Sequence, residues 1–122
     1  ADMHQVLINL AINARDAIRE VRDVGHLSVS LRAPRVLEAG CSDCGENLAG
    51  TFVELAVRDD GCGMPAARVP LIFEPFYTTK EVGKGTGLGM SVVHGIMHDL
   101  GGHIVVETGV DTGTVIRLLF PA

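Results

Sequence analysis

Four strand-like runs fall in two pairs, with no helical pattern inside either pair, and that order decides the fold class. Leu27, Val29 and Leu31 alternate with Ser28, Ser30 and Arg32, and Val53, Leu55 and Val57 alternate with Phe52, Glu54 and Arg58. Alternation of this kind marks half-buried strands. Residues 103–108 and 114–120 are β-branched runs joined across Gly109 and Gly113, which reads as a hairpin ending at Pro121. A doubly wound parallel sheet needs strands alternating with helices, so the paired strands deny it. The helical patterns lie outside the pairs. From residue 3 to about residue 24 there is no Pro or Gly, and Leu7, Leu10, Ala11, Ala14, Ile18 and Val21 recur at helical spacing, predicting a helix ended by Gly25. Leu88, Val92, Val93, Ile96, Met97 and Leu100 predict a second long helix closed by Gly101-Gly102, and Pro65 is placed to open a short helix between the two. The expected fold is α+β: a two-layer α/β sandwich, with a mostly antiparallel mixed sheet and its helices on one face. Residues 34–50, polar and too long for a tight turn, read as an excursion from the first strand pair.

The chain has 122 residues, about one domain's worth, and 47% hydrophobic against 20% charged residues is a balance that buries a core. Its net charge of −5 opposes nucleic acid and anionic lipid, so any phosphate chemistry has to be local. No apolar run approaches the ~18 residues of a membrane span, and the first 17 residues lack a signal peptide's basic start and cleavage site. No direct membrane contact is expected. Three cysteines favour a reducing compartment over a disulfide framework, which makes the cytoplasm the expected location, whether or not the parent protein is membrane-anchored.

Glycine is the outlier, at 15 residues, and its clustering matters more than its number. Gly83, Gly85, Gly87 and Gly89 alternate immediately before a predicted helix, where bare backbone N–H groups make an anion site. The stretch fits neither the Walker pattern nor G-x-G-x-x-G. Gly61 and Gly63 form the second cluster, in Asp59-Asp60-Gly61-Cys62-Gly63-Met64-Pro65. There a carboxylate ending a buried strand can accept from an exocyclic amine while the glycines let a planar ring approach; taken alone, the same residues also read as a plain β-turn. On the first helix Gln5, Asn9, Asn13, Asp16 and Glu20 share one stripe, which fits either the wall of a polar cavity or a solvated face. Residues 73–80 carry two Phe, two Thr and a Lys around Pro75, as a mobile cover would.

Together, Asn9-Leu10-Ala11-Ile12-Asn13-Ala14, Asp59-Asp60-Gly61-Cys62-Gly63, Phe73-Glu74-Pro75-Phe76 and Gly83-Lys84-Gly85-Thr86-Gly87-Leu88-Gly89 resemble, in order, the N, G1, F and G2 boxes of two-component sensor histidine kinases. The resemblance runs from Asp2 to Pro121. It implies the catalytic ATP-binding domain, of the Bergerat or GHKL superfamily, over residues 1–122. Because the family carries a strand and a helix start upstream, it also implies a piece lacking its first strand and its phosphoacceptor hairpin.

The resemblance implies ATP and Mg²⁺ as cofactors. It assigns Asn13 to Mg²⁺ with Asn9 beside it, Asp59 to the adenine amine, Gly61, Gly63 and Met64 to the adenine pocket, and Thr114 to the adenine and its water. Phe73 and Phe76 would anchor the lid, and Asp16 and Thr78 complete the nucleotide set. Lys80 and Lys84 reach toward the phosphates, and Gly85, Thr86, Gly87, Leu88 and Gly89 present backbone to them. Asn9, Asn13 and Lys80 are the expected catalytic residues.

The implied reaction moves the γ-phosphoryl group to a histidine on a separate dimerisation domain, for onward passage to a response regulator or receiver domain. None of His4, His26, His94, His98 or His103 has the context of that acceptor. Related hydrolysing ATPases carry a water-activating Glu where this chain has Asn9. The rival readings are a serine kinase of the anti-sigma-factor type on the same fold, and a nucleotide-binding module inactive in isolation. Cys41-Ser42-Asp43-Cys44 supplies only two of four zinc ligands, so reduced surface thiols are expected, with zinc shared between chains as the rival. His94 and His98 are four apart, but no Glu follows His94 as in the H-E-x-x-H metal motif.

Overall fold

A computed structural model describes residues 2–42, 45–74 and 89–121. Helix α1 (Asp2–Arg19) is followed by strands β1 (Leu27–Gly40) and β2 (Asn47–Asp59), a 3-10 helix (Ala66–Phe73), helix α2 (Gly89–Asp99), and strands β3 (His103–Thr108) and β4 (Thr114–Pro121). The strands form one sheet in the order β1-β2-β4-β3, every described pairing antiparallel. Both α-helices lie on one face. Val6 and Leu10 of α1 and Met90, Val93 and Met97 of α2 are buried against Val57, Ile104, Ile116 and Leu118 of the sheet. Each such side chain contributes about 1.5–3 kcal/mol of burial, so stability concentrates where the helices lie over β2, β4 and β3.

The edge strand β1 departs from expectation. Its alternating residues Leu27, Val29 and Leu31 are exposed rather than half-buried, because the helices lie over the other three strands. Helix α1 is also shorter than predicted and does not end at Gly25. Cys62 N–H donates to Ala17 O (3.1 Å), while Val21 N–H reaches only three residues back, to Ile18 O (3.0 Å), so the helix tightens and stops as the turn after β2 docks on it. Gly25 instead permits a close approach: a Cβ there would lie 2.5 Å from Ile18 Cγ2 and 2.6 Å from Asp60 Oδ1. Gly101 does close α2 as predicted. Its φ is +70°, its N–H reaches His98 O, and Gly102 N–H reaches Met97 O, the pair of bonds that terminates a helix in a left-handed residue.

The expected excursion at residues 34–50 is mostly strand. β1 and β2 stay paired from Leu27↔Asp59 out to Gly40↔Asn47, with a register shift between Arg32 and Arg35, where Pro34 removes a donor. The tip of this hairpin reaches the opposite edge of the sheet: Ser42 N–H donates to Ile104 O (2.7 Å) and Val106 N–H to Ser42 Oγ (2.8 Å). A second cluster, Cys41, Leu48, Phe52, Val105 and Leu119, fills the face away from the helices. Cys41 is therefore buried, not a surface thiol, and Ile104 N–H points at its sulfur (3.5 Å). Cys44 lies outside the described residues.

Candidate functional site

At one end of the sheet, three adjacent strands place Asp59, Thr114 and Thr108 in a row, through the pairings Asp59↔Thr114 and Thr108↔Thr114. Asp59 is buried, and its Oδ1 accepts the Gly61 N–H at 2.8 Å. Burial pushes its carboxyl above the ordinary value, against the pull of backbone N–H bonds from Gly61 and Thr114. A buried carboxylate held by two backbone donors is a fixed acceptor, suited to an amine.

The glycines beside it are close-approach positions. A Cβ on Gly61 would sit 2.6 Å from the Ala17 carbonyl carbon, so this residue lets the turn dock on α1. Gly63 has φ +63°, and a Cβ there would meet Gly109 O at 1.9 Å, so only glycine lets the turn lie against the β3–β4 loop. Two backbone donors tie the same surfaces together: Asp111 N–H to Cys62 O (2.8 Å) and Met64 N–H to Thr108 Oγ1 (3.1 Å). Thr108 is a residue that motif reading missed. Its signal was present, since Thr108-Gly109 and Gly113-Thr114 close the hairpin symmetrically and so face one another.

The polar stripe of α1 is half-buried in its middle, at Asn9, Asn13 and Asp16, and exposed at its ends, Gln5 and Glu20. Gln5 Nε2 donates to Asn9 Oδ1 (2.8 Å), and Asn9 Nδ2 donates to Gly89 O (3.3 Å), the first residue of α2. The Asn13 amide lies alongside, 3.5–3.6 Å from where Gly89 would carry a Cβ. Both asparagines are half-buried, which fits the cavity wall better than the solvated face. Further along the stripe, Asp16 pairs with Arg15 (3.2 Å), and Cys62 Sγ donates to Glu20 Oε2 (3.4 Å). Burial first, then Glu20, raise the Cys62 thiol above its ordinary value and keep it protonated.

Asp60, the next residue, has a different set of partners. It accepts the His26 N–H (2.9 Å) and lies beside His26 Nδ1 (3.1 Å) and Arg22 Nη1 (3.3 Å), and these bonds hold its carboxyl below the ordinary value.

The structure thus brings Asp59, Gly61, Gly63, Met64 and Thr114 together at the sheet end, and Asn9, Asn13 and Gly89 together where α1 meets α2. Phe73 is in the main core, with its ring 6.4 Å from that of His94. The expected site residues Phe76, Thr78, Lys80, Lys84, Gly85, Thr86, Gly87 and Leu88 lie outside the described residues. The His94 and His98 rings stack at 6.0 Å, and among the described residues no three His, Cys, Asp or Glu side chains group to hold a metal. No described helix is long and apolar enough to cross a membrane.

Residues 1–122 match the family described as histidine kinase-, DNA gyrase B-, and HSP90-like ATPase. The chain is 42% identical over 117 residues to the sensor kinase CckA of Brucella abortus (strain 2308), covering 96% of this chain and 12% of that protein. It is 35% identical over 117 residues to the sensor histidine kinase ZraS of Escherichia coli (strain K12), covering 96% and 21%. The chain therefore spans between about an eighth and a fifth of the length of these relatives. Among solved structures, the nucleotide-free catalytic domain of histidine kinase ThkA matches with TM-score 0.71 at 30% identity, over 98% of this chain and 66% of that one. The mycobacterial sensor histidine kinase MprB shares the fold, with TM-score 0.73 at 23% identity, over 98% and 70%.

Proposed function

The chain belongs to the histidine kinase-, DNA gyrase B- and HSP90-like ATPase family, as the catalytic ATP-binding domain of a sensor histidine kinase, and from that premise we propose that it binds Mg-ATP and transfers the γ-phosphoryl group to a histidine on a separate helical domain. The observation that carries the nucleotide reading is the buried Asp59 carboxylate, held by backbone donors beside two glycines whose substitution would drive a Cβ into main chain. That arrangement accepts an amine on the edge of a planar base, with the turn that follows Asp59 locked against α1 and the β3–β4 loop by its glycines. Met64 and Thr114 complete the base end.

The phosphate end falls at the junction of α1 and α2. The Asn13 amide oxygen is a neutral hard donor, and a single such ligand suits Mg²⁺, which keeps waters and phosphates for its remaining positions. When bound, the ion neutralises charge on the phosphates. Asn9 engages both ends of its amide, with Gln5 and Gly89, so its part is to hold α1 against the start of α2 rather than to remove a proton from water. Without a carboxylate at that place, transfer to an amino-acid acceptor is favoured over hydrolysis. Asp16, Phe76, Thr78, Lys80, Lys84, Gly85, Thr86, Gly87, Leu88 and Gly89 complete the proposed nucleotide set. Proposed partners are a histidine-bearing dimerisation domain and, downstream, a response regulator or receiver domain.

The test is calorimetric titration with Mg-ATP, followed by labelled-ATP transfer to an added histidine-bearing helical domain from a related sensor kinase. Asn13→Ala and Asp59→Ala are expected to lose binding, and label to appear on the added domain alone. Unchanged affinity in both variants, or label retained on this chain without a partner, would refute the reading.

A further inference from the structure

Thr108 Oγ1 sits within hydrogen-bond distance of three groups: Met64 N (3.1 Å), Gly113 O (3.1 Å) and Thr114 Oγ1 (2.9 Å). A hydroxyl has one proton to donate and two lone pairs to accept with. Met64 N–H can only donate and Gly113 O can only accept. If Thr108 gives its proton to Gly113 O, it accepts from Met64 N–H and from the Thr114 hydroxyl, and all three contacts are made at once. If it gives its proton to Thr114 instead, the contact with Gly113 O is lost. Buried polar groups favour the fully satisfied arrangement, and Thr114 is buried.

In that arrangement the Thr114 proton is committed to Thr108. That leaves the Thr114 hydroxyl only lone pairs for any other partner, at the strand position paired with Asp59. From this geometry we propose that Thr108 is a positioning residue that sets the base specificity of the nucleotide site: by taking the Thr114 proton it makes the sheet-end row an all-acceptor edge, which admits a base bearing an amine and opposes one bearing a carbonyl there. Its bond from Met64 N–H also fixes the turn after Asp59 against the β3–β4 loop, so the acceptor edge and that turn keep one relative position. This inference rests on the adenine-nucleotide reading above and adds to it a residue that need not touch the base.

The experiment compares Mg-ATP with Mg-ITP, whose base carries a carbonyl in place of the amine, on this chain and on Thr108→Val, Thr108→Ser and Thr108→Cys. Thr108→Val keeps the shape but frees the Thr114 proton to donate. Its ATP-over-ITP affinity ratio is expected to fall about tenfold, the worth of one hydrogen bond of the wrong polarity. Thr108→Ser is expected to restore the ratio. Thr108→Cys, a weaker donor and acceptor, should lower it by less and covers the case in which Thr108→Val does not fold. A purely structural role would weaken both nucleotides together, so an unchanged ratio in the folded variants overturns the proposal. Failure of the parent chain to bind ATP would instead overturn the nucleotide reading, and this proposal with it.

Discussion

Asp59 and Asp60 are neighbours in sequence, yet one is buried in a row with two threonines while the other sits on the rim between Arg22 and His26. Asp59 is the residue proposed to meet the base, and burial raises its pKa, so the ionised form that an amine would need is held there at a cost to folding. Asp60 is stabilised as an anion by the His26 N–H and by two basic side chains, and it fastens the loop between α1 and β1 to the nucleotide turn. The two sides of the turn also close differently. On the Asp59 side backbone meets backbone, Gly63 against Gly109 O; on the Asp60 side Gly25 meets the ends of side chains, Ile18 and Asp60. The Asp59 side of the turn is closed by main chain, and the Asp60 side by side chains.

Substituting the two glycines tests that contrast most severely. Gly63→Ala carries about 1–2 kcal/mol for a left-handed non-glycine residue, and adds a Cβ at 1.9 Å from a carbonyl oxygen that cannot rotate away. The loop has to move, breaking the Met64–Thr108 bond, so both the melting temperature and ATP affinity should fall sharply. Gly25→Ala meets Ile18 Cγ2 and the Asp60 Oδ1 that accepts the His26 N–H, but carries no left-handed strain and meets no main chain, so it is expected to cost less than Gly63→Ala in chemical denaturation, with ATP affinity kept. Equal losses for the two would show that the sides of the turn are equally rigid.

Next in size is Asp59→Asn. A bond from a neutral base amine to a carboxylate is worth about 1.5–3 kcal/mol, so replacing that carboxylate with an amide should weaken ATP binding by roughly 10- to 100-fold. Thermal stability should change little, because removing the desolvated charge offsets the loss of the Thr114 N–H bond, while one oxygen remains for the Gly61 N–H. Asp60→Ala should do the reverse, lowering the melting temperature while leaving ATP affinity as it was. A loss of affinity in Asp60→Ala as large as that in Asp59→Asn would mean that the two carboxylates share one role.

The contrast between these neighbours was not legible in Asp59-Asp60-Gly61, where both read as polar turn residues. The main outline was legible, because apolar period shows directly in residue identity. The stripe through Leu10, Ala14 and Ile18 marked α1, and the alternation through Val53, Leu55 and Val57 marked β2. What escaped depends on tertiary contact. Helix α1 stops early because the nucleotide-turn segment docks on Ala17, far away in sequence. Residues 34–50 read as loop because Pro34 and the glycines mask a paired hairpin whose burial comes from β3 and β4. Cys41 looked exposed because its cover is Phe52, Val105 and Leu119 rather than anything adjacent. Of the proposed site, the motifs pointed to Asp59, the glycines and Asn13, since the role proposed for each needs its residue type. Thr108 went unnoticed because its importance lies in three partners rather than in its own identity.

The smallest expected effect is the pH dependence, and it separates the two carboxylates by sign. A raised pKa in the folded state means that, between the ordinary Asp value and the raised one, the folded protein binds more protons than the unfolded chain. Asp59 therefore contributes most stability below the ordinary value, and that contribution is lost as pH rises through the raised pKa. Asp60, with its pKa lowered, contributes stability above the ordinary value and loses it as pH falls through the lowered one. In the parent chain the two trends meet at the ordinary carboxylate value, the Asp59 trend above it and the Asp60 trend below. Urea denaturation of Asp60→Ala should show stability increasing on acidification from neutral pH toward the ordinary carboxylate value, while Asp59→Asn should lose stability as pH falls below that value. ATP affinity should follow Asp59 alone: in Asp60→Ala it should decline as Asp59 takes up its proton, in the same interval in which the fold becomes more stable. If stability and affinity instead fell together in Asp60→Ala, the buried carboxylate would be stabilising the fold as an anion, and the cost assigned to it here would be wrong.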